Sequence, residues 1–363
     1  PRSAPAGVPT LPPLAPPVLL VAGQLEAAEA EAALACAEAA GIPILADIGS
    51  QLRLLDHPLV IGGAELLLAA PAGRRALEAA GHVIQLGGRL TGKRLPQWLA
   101  ERPGPYWLVS RHAGYLDPHW RAEPIQAEIP AFCRALAPPP QGPLPGLEAA
   151  RAEVAGRTQR ALAEGFGEPQ AARQIAAALP EGMALLPGNS LAIRLLDLFA
   201  TGRDSGPLRP CLTLRGASGI DGLIAAGAGY AHERSAGATV LLGDLAALHD
   251  LNSLALAAAC PHPLVIVILN NDGGGIFDLL PARGHGERHE RLFRMPHGWR
   301  FEHAAAQFGL PYTRCRTAAE LHEAYTEACT RPGGSVIELS CPPQQGSDRM
   351  AALFRDLERA APC

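Results

Sequence analysis

The sequence predicts an α/β protein made of two doubly wound parallel-sheet domains. Short β-type runs alternate with longer Ala/Leu-rich stretches along the chain. Those runs are apolar at nearly every position, as parallel strands covered on both faces are. A Pro/Gly-rich segment, 137–146 (APPPQGPLPG), separates them into two sets.

The first set of expected strands is 17–22 (PVLLVA), 42–46 (IPILA), 82–86 (HVIQL) and 106–110 (YWLVS), with an Ala-packed helix at 26–40. The second is 183–187 (MALLP), 210–214 (PCLTL), 238–242 (ATVLL), 264–269 (LVIVIL) and 335–339 (SVIEL), with helices at 150–164, 221–231 and 249–259. The expected organisation is a linker remnant at 1–16, a central α/β domain at 17–135, a linker at 136–147, a second α/β domain at 148–345 and a helical tail at 346–363. Right-handed crossovers place the loops after the strands on one edge of each sheet, where ligands bind.

Bulk properties narrow the function. Charged residues are 18% of the chain and the net charge is −4, so neither nucleic acid nor an anionic membrane surface is expected as a partner. Basic residues that matter must act singly, in a site. No apolar run is long enough for a membrane span. The eight cysteines form no C-x-x-C pair and mostly sit in apolar stretches, which reads as reduced thiols of a cytoplasmic protein. Residues 1–16 lack the basic-then-apolar order of a signal peptide.

The chemistry concentrates after two expected strands. Strand 238–242 runs into 243–252 (GDLAALHDLN), and strand 264–269 into 270–277 (NNDGGGIF). Asp244 and Asn271 lie 27 positions apart, about the length of one strand–helix–strand crossover, which would set both strand ends side by side. A carboxylate, an amide and a backbone carbonyl suit Mg2+, which also keeps phosphate oxygens and water in its shell. The turn and helix after Asp244 offer N–H groups to the same phosphates. Isolated, either strand end reads as an ordinary polar loop; the pair at crossover spacing reads as a site. No G-x-G-x-x-G is present, which argues against a nicotinamide enzyme. His285 and His289 are spaced i, i+4 but fall in a charged Gly-rich stretch, 282–290 (ARGHGERHE), expected as a mobile loop. His249 and His303 read as structural histidines.

Gly-Asp followed a crossover later by Asn-Asn resembles the diphosphate–Mg2+ motif of thiamine-diphosphate enzymes. Leu245 stands where most of them have Gly, a departure shared by the 2-succinyl-5-enolpyruvyl-6-hydroxy-3-cyclohexene-1-carboxylate synthases. Four further segments resemble that branch: 188–194 (GNSLAIR), 215–222 (RGASGIDG), 89–95 (RLTGKRL) and 301–306 (FEHAAA). The resemblance implies thiamine diphosphate and Mg2+ (or Mn2+), with the metal on Asp244, Asn271 and the carbonyl of Gly273. The same resemblance gives cofactor contacts to Asn189, Ser190, Ser218, Gly219, Gly243, Leu245, Ala246, Gly274 and Ile276, with Ile220 as the aliphatic wedge under the bent cofactor. Substrate contacts are implied for Lys93, Arg94, Ser190, Arg194, Arg215, Ile276, Phe277 and Leu280, and two dicarboxylates, isochorismate and 2-oxoglutarate, give basic residues a reason to gather.

The implied reaction removes CO2 from 2-oxoglutarate and adds the remaining unit to isochorismate, in menaquinone biosynthesis, by a homodimer or homotetramer. The family's activating glutamate belongs to an N-terminal pyrimidine-binding domain, expected to precede residue 1. No catalytic acid or base is therefore assigned in residues 1–363, which are expected to fold but not to catalyse alone. An acetolactate-synthase-like enzyme is the alternative carboligase; Leu245 and the basic set speak against it. A non-catalytic α/β binding module is the other, and retention of both metal-ligand segments speaks against that.

Overall fold

The computed structural model describes residues 11 and 13–360, apart from 113, 115, 137, 205 and 206. Most of the expected N-terminal linker and the last three residues of the tail lie outside them. The chain divides into two compact units, 1–159 with 201–208 and 354–363, and 160–200 with 209–353.

The first unit holds a six-stranded, all-parallel sheet in the order Val60–Ile61, Ile44–Ala46, Val18–Ala22, His82–Leu86, Tyr106–Ser110, Glu123–Gln126. All four expected strands are present. The two edge strands were not foreseen. Val60–Ile61 is only two residues long, and Glu123–Gln126 is mostly exposed and contains Pro124, which an edge tolerates because no ladder N–H is needed there. Helix Ala27–Ala40 starts with a capping box between Glu26 and Glu29 and stops at Gly41 in the left-handed region. Ala30, Ala33 and Ala37 are fully buried on it, in one core cluster with Phe132 and Cys133 of helix Ile129–Leu136.

The Pro/Gly-rich segment is not where the contacts divide. The Gln141 side chain accepts from Val18 N–H at 2.7 Å and donates to Val18 O at 2.8 Å, extending the hydrogen bonding at the start of the first strand. The division falls within helix Leu147–Ala163, and helix Gln345–Glu358 begins in the second unit and ends in the first.

The second unit carries a five-stranded parallel sheet, ordered Tyr312–Cys315, Gly334–Ser340, Leu264–Asn270, Ala238–Gly243, Ala184–Pro187. Its middle strand is buried at all seven positions. The expected strand 210–214 is reduced to one bridge, Leu185 to Cys211; Pro210 has no N–H to add to a ladder, and Leu214 is exposed. Helix 249–259 is also corrected: a helix Asp244–His249, a turn Leu251–Ser253 and a helix Leu254–Ala258 replace it. Asp250 causes the break. Its carboxylate accepts from the N–H groups of Ile224 and Ala225, capping helix Leu223–Glu233, and from Ser253 Oγ.

Among the described residues no helix is long and apolar enough to cross a membrane. The seven described cysteines are free thiols, and all but Cys329 are buried.

His82 is 1% exposed, its ring edge-on to Trp107 at 4.1 Å, and neither ring nitrogen has a hydrogen-bond partner. Burial, and then the charge of Arg102, pull its pKa down to about 4. Because the unfolded chain binds that proton at about pH 6.5, stability from this group is complete above that value and falls as pH drops towards 4. His82→Phe should therefore flatten the acid side of the stability profile, as read from urea unfolding between pH 7.5 and 5 (roughly the window set by the two pKa values); an unchanged slope would show that His82 does not titrate on unfolding.

Candidate functional site

In the second unit the strand Ala238–Gly243 passes directly into the helix that starts at Asp244, and its neighbour Leu264–Asn270 passes into Asn271. Parallel register sets Gly243 opposite Leu269, so the two side chains leave the same edge of the sheet. The crossover expected from their spacing is thus in place.

Asp244 is 2% exposed. Its Oδ1 accepts from Leu245 N–H at 2.7 Å and its Oδ2 from Gly273 N–H at 2.8 Å. Burial raises its carboxyl above the usual range, against those two donors. Asn271 is 5% exposed; its Nδ2 donates to Glu168 Oε1 at 2.9 Å, while its Oδ1 is buried with no protein partner. A buried amide oxygen left unpaired is costly unless something outside the chain engages it.

Gly273 has φ +126°, and a Cβ there would stand 2.2 Å from Arg294 O, so only glycine fits. Arg294 straps this loop: its Nη2 donates to Asn271 O at 2.8 Å, and its own carbonyl accepts from Gly274 N–H at 2.7 Å. The guanidinium is paired with Asp278, and both side chains are fully buried. Arg294 closes a π-helical turn, Glu290–Arg294, a form often found at functional sites.

Glu168, at the start of helix Glu168–Ala178, is also buried, and desolvation pushes it up to about 7 against the pull of its Asn271 hydrogen bond. Asp244, Glu168 and Asp278 are three buried carboxylates beside one buried guanidinium. Asp278 is matched to that guanidinium, which leaves the Asp244 carboxylate and the orphaned Asn271 amide oxygen at the strand ends. A carboxylate and an amide oxygen are hard donors that fit a hard divalent cation.

The other expected residues take more varied places. Gly188 continues the pairing of Ala184–Pro187 by donating to Leu241 O, which sets 188–190 beside the end of strand Ala238–Gly243. Asn189 is committed to the fold: Nδ2 donates to Leu214 O and Gly219 O, and Oδ1 accepts from Arg215 Nη1 at 3.0 Å. Ser190 has φ +71° and precedes helix Leu191–Phe199; its carbonyl accepts from Arg194 Nη1 at 2.6 Å. Ser218 and Gly219 are exposed, Ser218 Oγ donating to Arg215 O, and Ile220 packs against the core. Ala246 is buried and Leu245 half-buried in the first turn after Asp244. Ile276 and Phe277 lie half-buried in the turn Gly275–Leu279, with Phe277 edge-on to Phe293 and Leu280 exposed.

Lys93 and Arg94 belong to the first unit. Glu65 accepts from both of their N–H groups at the start of helix Arg94–Glu101, and the Arg94 guanidinium pairs with Glu358 and stacks over Phe354. Lys93 lines a cavity of about 440 Å3 with Arg89, Tyr106, Asp117 and His119.

Several participants escaped the sequence. His297 lies 3.3 Å from Asp244 Oδ2, and Glu168, Asp278 and Arg294 come from three other segments. No motif links them; only the fold does. The stretch 282–290, expected as a loop, instead forms helical turns at Pro281–His285 and Glu287–His289, with His289 buried against Phe293. Among the described residues no group of three or more His, Cys, Asp or Glu is gathered to hold a metal, so His285 and His289 form no such site.

Residues 18–186 match the family model described as "Middle domain of thiamine pyrophosphate", and residues 213–339 match the "Thiamine pyrophosphate enzyme, C-terminal TPP binding domain". The chain belongs to the thiamine pyrophosphate enzymes. It is 57% identical over 362 residues to the 2-succinyl-5-enolpyruvyl-6-hydroxy-3-cyclohexene-1-carboxylate synthase of Halorhodospira halophila, matching 99% of this chain and 64% of that protein. Proteins of the same name from Rubrobacter xylanophilus and Shewanella frigidimarina are 41% and 39% identical, over 94% and 88% of this chain and 60% and 55% of their own lengths. The chain thus spans less than two thirds of the length of these relatives.

Asp278→Ala should leave the buried Arg294 guanidinium to the more distant carboxylate of Glu290, 3.6 Å from its Nε. Breaking a buried pair from one side costs about 3–5 kcal/mol, so guanidinium unfolding should show a loss of that order. A loss no larger than that of an exposed surface pair would contradict the buried-strut reading of Arg294.

Proposed function

We propose that the chain is part of a thiamine-diphosphate- and Mg2+-dependent carboligase, which removes CO2 from 2-oxoglutarate and adds the remaining four-carbon unit to isochorismate, and that residues 1–363 do not catalyse alone. The observation that carries this reading is the buried, unpaired Oδ1 of Asn271 beside the buried Asp244 carboxylate, on neighbouring strand ends. Asp244, Asn271 Oδ1 and the Gly273 carbonyl would hold the metal, Mg2+ or Mn2+, and join it to the diphosphate. Thiamine diphosphate, when bound, supplies the carbon nucleophile and the electron sink that decarboxylation requires.

The chain's own residues bind and orient. N–H groups in the first turn of helix Asp244–His249 that are not taken by Asp244 itself are donors for the diphosphate. Ile220 is braced against the core, as a wedge under a bent cofactor must be. Arg215 commits one Nη1 donor to Asn189 Oδ1, which fixes the plane of the guanidinium and leaves further donors for a carboxylate. Arg194 is anchored through Ser190 O one helical turn back. Both substrates are dicarboxylates, so two oriented guanidinium groups in one unit suit them.

Asp244→Ala should abolish Mg2+-dependent binding of thiamine diphosphate, because it removes the carboxylate of the ligand set. Titration of the cofactor with and without Mg2+ checks this, and unchanged affinity would refute the metal assignment. Arg215→Ala and Arg194→Ala should leave cofactor affinity nearly intact. Each should lower kcat/KM by roughly ten- to a hundred-fold, the loss of one charge-assisted bond to a carboxylate. Wild-type specificity constants for both substrates in both variants would return these arginines to a purely structural role.

A further inference from the structure

We propose that Glu168 is a positioning residue, whose carboxylate fixes the Asn271 amide with its oxygen turned to the metal. The inference rests on reading Asp244, Asn271 and Gly273 as the metal ligands.

An asparagine amide presents an acceptor on one side and two donors on the other, and a cation can use only the oxygen. Turned over, Asn271 would aim its NH2 at the metal. Nothing in the local backbone chooses between the two orientations. Glu168 does in its ionised form, which only accepts, and its Oε1 stands 2.9 Å from Nδ2. The NH2 is thereby taken on one side, and Oδ1 is left buried and unpaired on the other. Gly275 leaves room for this arrangement, since a Cβ there would lie 2.4 Å from Asn271 Nδ2.

The carboxylate is itself held. Glu168 is 2% exposed at the first position of its helix, and Gly346, in the first turn of helix Gln345–Glu358, receives its other oxygen: a Cβ on Gly346 would stand 2.1 Å from Glu168 Oε2. A carboxylate needed only as helix-terminal charge would do the same work at the surface, where its desolvation costs nothing. Burying it against one face of a ligand's amide is the arrangement expected of an outer partner that orients a metal ligand.

The test measures metal binding directly in the full-length protein, with Mn2+ as the probe. Free Mn2+ is followed by electron paramagnetic resonance in saturating thiamine diphosphate. Glu168→Met keeps the volume and removes the acceptor; it should raise the Mn2+ Kd ten- to a hundred-fold, the usual effect of losing an outer partner. Glu168→Gln offers donors as well as an acceptor, so it selects the orientation only weakly and should raise the Kd less than Glu168→Met does. Adding Asn271→Asp to Glu168→Met should restore affinity, because either oxygen of a carboxylate can face the metal and no orienting partner is needed.

Unchanged affinity in Glu168→Met overturns the proposal. So does a loss in Glu168→Gln as large as that in Glu168→Met, which would assign Glu168 a charge-balancing role instead. Failure of Asn271→Asp to restore affinity, at an unchanged melting temperature, would make the effect of Glu168 merely structural and overturns it as well. Asp244→Ala separates the two levels: if it leaves Mn2+ affinity unchanged, the ligand assignment itself is wrong, whereas loss there with no effect in Glu168→Met sinks only the role of Glu168.

Discussion

The loop after the central strand of the second unit is organised around buried negative charge. Asp244 and Glu168 are both withdrawn from water, one at the end of the neighbouring strand and one at the start of a helix, and Asn271 lies hydrogen-bonded to Glu168 beside them. Burying carboxylates is unfavourable unless they are paired, hydrogen-bonded or bound to a cation. Backbone donors from Leu245 and Gly273 meet part of that need for Asp244, and the Asn271 amide for Glu168. The desolvation cost that remains is one a dication at this edge would offset.

Around that centre the chain is strapped rather than left open. Arg294 reaches back to the Asn271 carbonyl and takes Gly274 N–H on its own carbonyl, while Asp278 holds its guanidinium. Asn270, adjacent to Asn271, serves the fold: its amide bridges Trp299 O and Glu338, and its Oδ1 accepts from Asp272 N–H. Two consecutive asparagines therefore do different work, because successive residues leaving a strand point to opposite sides. Glu338 extends this scaffold, accepting from Phe301 N–H and the Tyr312 hydroxyl as well.

Segments 188–194 and 214–219 are held with the same economy of position. Asn189 donates to Leu214 and Gly219 and accepts from Arg215, which holds the 214–219 segment at the sheet edge. Arg215 is oriented by that asparagine, and Arg194 by the carbonyl of Ser190. Donors tethered in this way lose less side-chain entropy on meeting a carboxylate than free surface arginines would.

What the sequence by itself determined follows from short-range rules. Runs of apolar residues specify buried parallel strands wherever they occur, so seven of the nine expected strands correspond closely, 42–46 is shortened to Ile44–Ala46, and 210–214 fails because Pro210 denies it a ladder. Gly-Asp and Asn-Asn at crossover spacing likewise announce a polar strand-end pair, since a parallel crossover has a characteristic length. Tertiary structure decided what depends on partners far along the chain. Asp250 breaks an expected helix because it caps another 26 residues earlier, the amide of Asn271 is oriented by a carboxylate 103 residues away, and Asp244 meets His297 across 53. No local pattern encodes such partners, because a buried polar group can be satisfied from any segment the fold brings near, and only the packed chain selects which one.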